Sequence, residues 1–391
     1  VKLKDWGSVR WRANLPGIGS STPIVTGDSI FLTCQEPKTM ELVAVCIARA
    51  TGKTRWTLPG GTAKELATSN MATPSAVTDG KNVFFMFGNG EFFGTDLDGK
   101  EIWRRNIEKE YGALRTRFGY SSTPLLYQGR LYVIVLRLDK ENADPTPEQP
   151  ARASYFMAVD PETGKTIWKH SRPCDARDES QEAYTSPLPF EHGDRREILI
   201  LGGDCLTGHN PDTGEELWRW KGYNPKRITV GRVITSPVVA GDLVVVCGPR
   251  HKRVFAVRPG KEGELGADAV AWEMNTRGSD SVTPLYHNGL LYLMNGQYGS
   301  VTAIRPEDGS VIWKEKLEFG AATKASPTGV GKHIYNIDES GHVFAIRAGK
   351  SFKLLEKKSL GGKLCRASIA IAGDGLIIRR SDRLYHIGKG R

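Results

Sequence analysis

One short step recurs along this chain and constrains its fold more than any other feature: a small hydroxyl residue and a proline that open an apolar run. The steps are Thr22-Pro23, Thr73-Pro74, Thr123-Pro124, Ser186-Pro187, Ser236-Pro237, Thr283-Pro284 and Ser326-Pro327, followed by a degenerate Ser368-Ile369. Most of the runs lead through a turn to a closing tryptophan, at Trp56, Trp103, Trp168, Trp218, Trp272 and Trp313, with Leu354-Leu355 in the seventh place. Successive prolines lie 51, 50, 63, 50, 47 and 43 residues apart, and the degenerate step follows 42 residues later. A repeat of this length and composition predicts a radial array of small β-sheets.

The third unit shows the pattern. Leu125-Leu126-Tyr127 turns at Gln128-Gly129 into Leu131-Tyr132-Val133-Ile134-Val135. A polar insertion, Asp139–Arg152, reads as an exposed loop before Tyr155-Phe156-Met157-Ala158-Val159-Asp160. Pro161-Glu162-Thr163-Gly164-Lys165 then turns the chain into Thr166-Ile167-Trp168-Lys169. Four β-rich runs separated by turn residues predict a four-stranded antiparallel sheet. An indole at a fixed place on each outermost strand is expected to wedge into the seam with the next sheet, where one buried ring contributes a few kcal/mol.

The last unit has only three runs, ending in Leu384-Tyr385-His386-Ile387, whereas the amino-terminal segment Ser8–Leu15 supplies a spare strand carrying Trp11. Pairing the two chain ends closes the ring and leaves no open edge. The expected fold is therefore all-β: a single eight-bladed β-propeller over residues 1–391, with docking tryptophans Trp11, Trp56, Trp103, Trp168, Trp218, Trp272 and Trp313.

Bulk properties exclude several classes. Among 391 residues, 54 Lys and Arg outnumber 44 Asp and Glu, giving a net charge of +10. Such a surface favours anionic partners in general. It carries no long basic run of the kind that binds nucleic acid, and no stretch long and apolar enough to span a membrane. The six cysteines form no C-x-x-C pair, so zinc and thioredoxin-like chemistry are not expected, although Cys34 and Cys46 are candidates to face each other across a hairpin. Gly52-Lys53-Thr54 lacks the upstream glycine of a phosphate loop, and no metal site is expected.

The segment Ala158–Trp168 resembles the repeat of quinoprotein alcohol dehydrogenases and of the wider PQQ-like propeller superfamily, including its non-catalytic BamB-like branch. The resemblance covers nearly the whole chain. The catalytic branch implies pyrroloquinoline quinone (PQQ) held with calcium beside two adjacent cysteines, and this chain has no Cys-Cys. The non-catalytic branch implies a periplasmic or envelope protein that presents loops and an axial funnel to other proteins. The chain opens on Val1 and shows no leader, so a mature or trimmed exported form is expected, acting as a monomer without a cofactor.

In a propeller, the residues just before each innermost strand form the axial mouth. Those expected there are Arg117, Tyr120, Tyr184, Arg232, Asp280, Lys324 and Arg366. Cations with aromatic faces suit an anionic or sugar-like ligand, because arginine makes forked bonds to carboxylates. Three functions follow: a non-enzymatic binding or scaffold propeller with no assigned catalytic residue; a PQQ-dependent alcohol or sugar dehydrogenase with Asp280 or Glu182 as base; or a propeller that binds acidic glycans.

Overall fold

The computed structural model describes residues 9–138, 154–248, 253–275, 280–362 and 364–388. The loop expected over Asp139–Arg152 lies outside the described residues. The strands form eight sheets with antiparallel pairing throughout, apart from one added strand in blade 4, and the innermost strands of blades 8, 1, 2 and 3 and of blades 5, 6 and 7 touch in sequence. This is an eight-bladed β-propeller. Blade 1 runs outward through Ile24–Thr26, Ser29–Gln35, Glu41–Ala48 and Thr54–Thr62. Blade 3 runs through Leu125–Tyr127, Arg130–Val135, Tyr155–Val159 and Thr166–Ser171. Blade 8 combines Ala370–Ala372, Gly375–Arg380 and Arg383–Ile387 with the amino-terminal strand Val9–Asn14, so the chain ends do close the ring.

Burial follows from this layering. Each middle strand is covered on both faces by neighbouring blades, so it reads as a continuous apolar run; every residue of Ser29–Gln35 is buried. Outermost strands such as Thr166–Ser171 stay largely exposed and carry lysine, histidine and serine. No helix among the described residues is long and apolar enough to cross a membrane.

The hydroxyls of the recurring step have a specific task. The amide of Thr22 donates to Ser75 Oγ (2.9 Å), that of Ser75 to Thr123 Oγ1 (3.1 Å), and that of Thr123 to Ser186 Oγ (3.0 Å). Ser186 continues to Ser236 (3.0 Å), Ser236 to Thr283 (3.1 Å) and Thr283 to Ser326 (3.1 Å), while Ser368 donates to Thr22 Oγ1 at 3.2 Å. Blades 7 and 8 are also joined by Thr328 Oγ1 donating to the Ile369 carbonyl at 2.7 Å. A residue before proline is held extended, and the proline has no N–H of its own, so this geometry suits the step. In blade 2 the belt uses Ser75, and Thr73 of the Thr-Pro step instead bonds the Asn70 carbonyl at 2.8 Å.

The indoles occupy the outer part of the seams. Trp11, Trp56, Trp103, Trp272 and Trp313 each donate Nε1–H to a backbone carbonyl in the following blade, at 2.7–3.0 Å. Glycine lies beneath several of these rings: a Cβ on Gly52 would meet Trp11 at 2.6 Å, and one on Gly164 would meet Trp103 at 2.5 Å. Both glycines have positive φ, 73° and 69°, so the turn and the close approach both require glycine. Trp168 lies over Gly214, but its N–H has no partner among the described residues, and the Pro211 carbonyl instead accepts from Tyr132 OH at 2.9 Å and from Arg130 at 3.1 Å.

Two positions depart from the sequence reading. Trp218 is turned inward, donating to the buried carboxylate of Glu197 at 2.5 Å. Its seam is stitched instead by Gly263–Leu265 of blade 5, which adds to the edge of blade 4 as a parallel fifth strand. In blade 7 the register equivalent of the tryptophan is Glu356, opposite Ala345, rather than Leu354-Leu355. The adjoining blade 8 takes its third and fourth strands from opposite ends of the chain, so no hairpin turn joins them to receive an indole.

Cys34 pairs in register with Val43, and Cys46 with Phe31, so the two thiols do not face each other. Both are free, as are the other four cysteines.

Three outcomes are expected. Trp11→Ala lowers stability to denaturant by about 3–5 kcal/mol, whereas Leu354→Ala changes it by less than about 0.5 kcal/mol. Ser236→Ala strands the Ser186 amide and costs about 1–3 kcal/mol, and Ser236→Thr restores it. The third concerns pH. Burial, then the charge of Arg172, pull His209 down to about 4. Between about 6.5 and that value the unfolded chain binds a proton that the folded chain refuses, so stability falls on acidification. Asp204, raised to about 6 by burial, opposes this, because its folded carboxyl keeps a proton that the unfolded one releases. The stability gap between the parent and His209→Asn should therefore narrow by about 2–3 kcal/mol from pH 7 to pH 4.5, measured by urea unfolding at each pH.

Candidate functional site

The segments that precede the innermost strands converge on a recess of about 320 Å³ at one end of the axis. Every blade contributes. Ser20, Ser69, Thr73, Phe118 and Ser121 come from the segments leading into blades 1 to 3. Tyr184, Arg232, Asp280, Ser281, Lys324 and Arg366 come from those leading into blades 4 to 8. The structure thus brings together five of the seven residues expected at the mouth.

The other two lie elsewhere. Tyr120 is 2% exposed and donates its hydroxyl to the Ile134 carbonyl at 2.8 Å, inside the core between blades 2 and 3. Side chains alternate along an extended segment, so Ser121 faces the recess while Tyr120 is turned away. Arg117 stands beside the recess without lining it, half exposed and reaching toward Glu179 at 3.5 Å.

Two carboxylates that the sequence reading passed over organise the mouth. Glu179, 3% exposed in the short 3-10 turn Asp178–Gln181, accepts from Arg232 at 2.5 Å and pairs with Arg117. Glu339, in the hairpin between Ile337 and His342, accepts from Arg366 Nε at 2.7 Å and lies 3.7 Å from Lys324 Nζ. Arg232 also lies 3.7 Å from Asp280, and Arg366 donates to the Thr68 carbonyl at 3.0 Å. Each rim cation is thus paired with an acid from a different segment. Glu179 lies only three residues before Glu182 in sequence, but Glu339 arrives from a hairpin and carries no local signal.

Phe118 and Tyr184 form an aromatic corner, with ring centroids 6.2 Å apart and the Arg232 guanidinium 5.0 Å from the Phe118 ring centre. The Phe118 amide donates to Tyr184 OH at 3.1 Å, which fixes the phenol. Behind them, Glu182 is fully buried; one oxygen accepts from the Arg117 amide at 2.6 Å and the other, Oε1, has no partner among the described residues. Burial raises the Glu182 carboxyl above its usual range, and burial with the adjacent Glu182 also raises the Tyr184 phenol. Among the described residues, no cluster of three His, Cys, Asp or Glu side chains is arranged to hold a metal ion.

Residues 1–137 and 152–388 match the profile of the family described as outer membrane protein assembly factor BamB. The chain belongs to this family of PQQ-like propellers. No curated protein matches its sequence. Among solved structures, BamB from Moraxella catarrhalis is similar with a TM-score of 0.65 at 12% identity, covering 97% of this chain and 99% of that one. A quinohemoprotein alcohol dehydrogenase from Comamonas testosteroni gives 0.64 at 12% identity, covering 100% of this chain and 78% of the other. A europium-containing methanol dehydrogenase gives 0.68 at 11% identity, with 97% and 86% covered. At these identities the structural likeness is one of fold alone.

In this BamB-family chain the pairing of rim charges makes a direct prediction. Glu179→Gln with Glu339→Gln leaves Arg117, Lys324 and Arg366 at the mouth without the acids they pair with here, and Arg232 with Asp280 alone. Binding of a small tricarboxylate such as citrate, absent or weak in the parent, should strengthen at least tenfold by calorimetry and weaken again with added salt.

Proposed function

We propose that this chain is a non-catalytic binding propeller of the BamB-like kind that serves in the cell envelope as a docking platform for another protein. The observation that carries this reading is the internal pairing of Arg117 and Arg232 with Glu179, and of Arg366 and Lys324 with Glu339. Those charges tie the segments of different blades into one rigid face instead of awaiting a charged cofactor. Pre-organised surfaces of this kind favour binding, because little ordering is left to be done on association.

PQQ, a tricarboxylate, with its calcium ion suits this mouth poorly. Its carboxylates would have to displace Glu179 and Glu339 from their cations, leaving the buried Glu179 carboxylate unpaired. The chain has no adjacent cysteine pair. Glu182, a candidate base under the dehydrogenase reading, is fully buried, and Asp280 faces Arg232.

Two measurements test the proposal. Incubation with PQQ and calcium should give no stoichiometric quinone absorbance and no dye reduction with ethanol or glucose; turnover would establish the dehydrogenase reading instead. A photoreactive residue at Thr68, on the mouth, should give a discrete protein adduct in envelope preparations, and one at Val311, on an outer strand, should not. Equal labelling from both positions, or none from either, would remove the docking role.

A further inference from the structure

The recess has a chemical character of its own, independent of the docking role. Seven of its thirteen lining residues carry a hydroxyl: Ser20, Thr68, Ser69, Thr73, Ser121, Ser281 and Tyr184. Its cations, Arg232, Lys324 and Arg366, are balanced by Glu179, Asp280 and Glu339. The aromatic corner of Phe118 and Tyr184 stands beside one of these ion pairs. Arg232 Nε is buried without a hydrogen-bond partner among the described residues.

Three ligand classes can be weighed against that wall. An anion finds no uncommitted cation and must break an existing ion pair, which is costly for groups as buried as Glu179. An apolar ligand strips water from Thr68, Ser69, Ser121, Ser281 and several charged groups without replacing the hydrogen bonds, at roughly 1–3 kcal/mol for each group left unsatisfied, whereas Ser20, Thr73 and Tyr184 keep bonds within the protein. A neutral polyhydroxylated molecule avoids both penalties. Each of its hydroxyls donates and accepts, so neighbouring hydroxyls match an arginine donor beside a carboxylate acceptor. The C–H face of a sugar ring is apolar and flat enough to lie on an aromatic side chain. The volume of about 320 Å³ is at the small end for ligand pockets, sized for one or two sugar rings.

We propose that the axial recess binds a neutral saccharide, with Arg232 beside Asp280, and Arg366 held in place by Glu339 behind it, reading its hydroxyls and the Phe118–Tyr184 corner supporting its ring face. Binding breaks no covalent bond and needs no cofactor. Lys324 completes the rim as a hydrogen-bond donor.

Saturation-transfer NMR on the purified protein tests this, with glucose, galactose, N-acetylglucosamine and maltose as probes and glucuronate and galacturonate as their charged counterparts. At least one neutral sugar should receive saturation on its C–H protons, with a Kd that is unchanged within twofold between 50 and 500 mM salt. Phe118→Ala should weaken that sugar at least tenfold. Because the Phe118 ring also packs against Tyr184 and Arg232, Ser281→Trp serves as a second variant: it fills the recess from another blade and should abolish binding while the thermal transition stays in place. No transfer to any neutral sugar, or uronates bound more than tenfold tighter and released by salt, would overturn the proposal. So would binding that survives both variants. A failed quinone or crosslinking experiment leaves this result untouched, so the two readings stand or fall separately.

Discussion

The structure depends on a belt of hydroxyl-to-amide hydrogen bonds that runs from blade to blade around the axis. From Thr22 to Thr283 each participating serine or threonine accepts from the amide of the preceding blade and donates its own amide to the next, and between blades 7 and 8 the Thr328 hydroxyl bonded to the Ile369 carbonyl takes over. A single such bond contributes only about 1 kcal/mol net, but removing any one leaves a backbone amide stranded near the axis. The belt also sets a common height for all the inner strands. That shared height brings the segments just ahead of it together as a mouth.

The outer seams are less uniform, and their variation has local causes. An indole N–H bridges a seam wherever the next blade offers a glycine-bearing turn with a free carbonyl. Where that carbonyl accepts from Tyr132 and Arg130, Trp168 keeps its position and its N–H has no partner among the described residues. Where a fifth strand covers the edge of blade 4, Trp218 turns to Glu197. At the closing blade there is no hairpin turn to receive a ring, and the register places Glu356 at that position. Redundancy among the seams lets individual ones change while the inner belt holds.

Charge at the mouth shows how a sum over sequence differs from a site in space. A net charge of +10 and a rim rich in arginine read as a basic surface. Glu179 and Glu339 reverse that local conclusion, because both sit within ion-pair distance of two cations. The resulting face carries its cations in contact with acids. It suits recognition by shape and hydrogen bonding rather than attraction of an anion from a distance.

The fold was legible because the constraint behind it is local and repeated. A Ser/Thr-Pro step, four short runs and a glycine turn describe one blade, and the spare strand carrying Trp11 announces the closure. The lining was partly legible for the same reason: residues just before an inner strand must reach the mouth, and Tyr184, Arg232, Asp280, Lys324 and Arg366 do. What the sequence left open were matters of register and of meetings between distant segments. Tyr120 and Ser121 are neighbours in the chain, yet alternation sends one into the core and the other into the recess. Cys34 and Cys46 belong to one hairpin, but the ladder offsets them. The sequence alone thus determined the architecture and which segments meet at the axis, since both follow from short-range patterning. Only the tertiary structure decided which cations are already neutralised, because an ion pair depends on distances between atoms that the chain brings together from different blades.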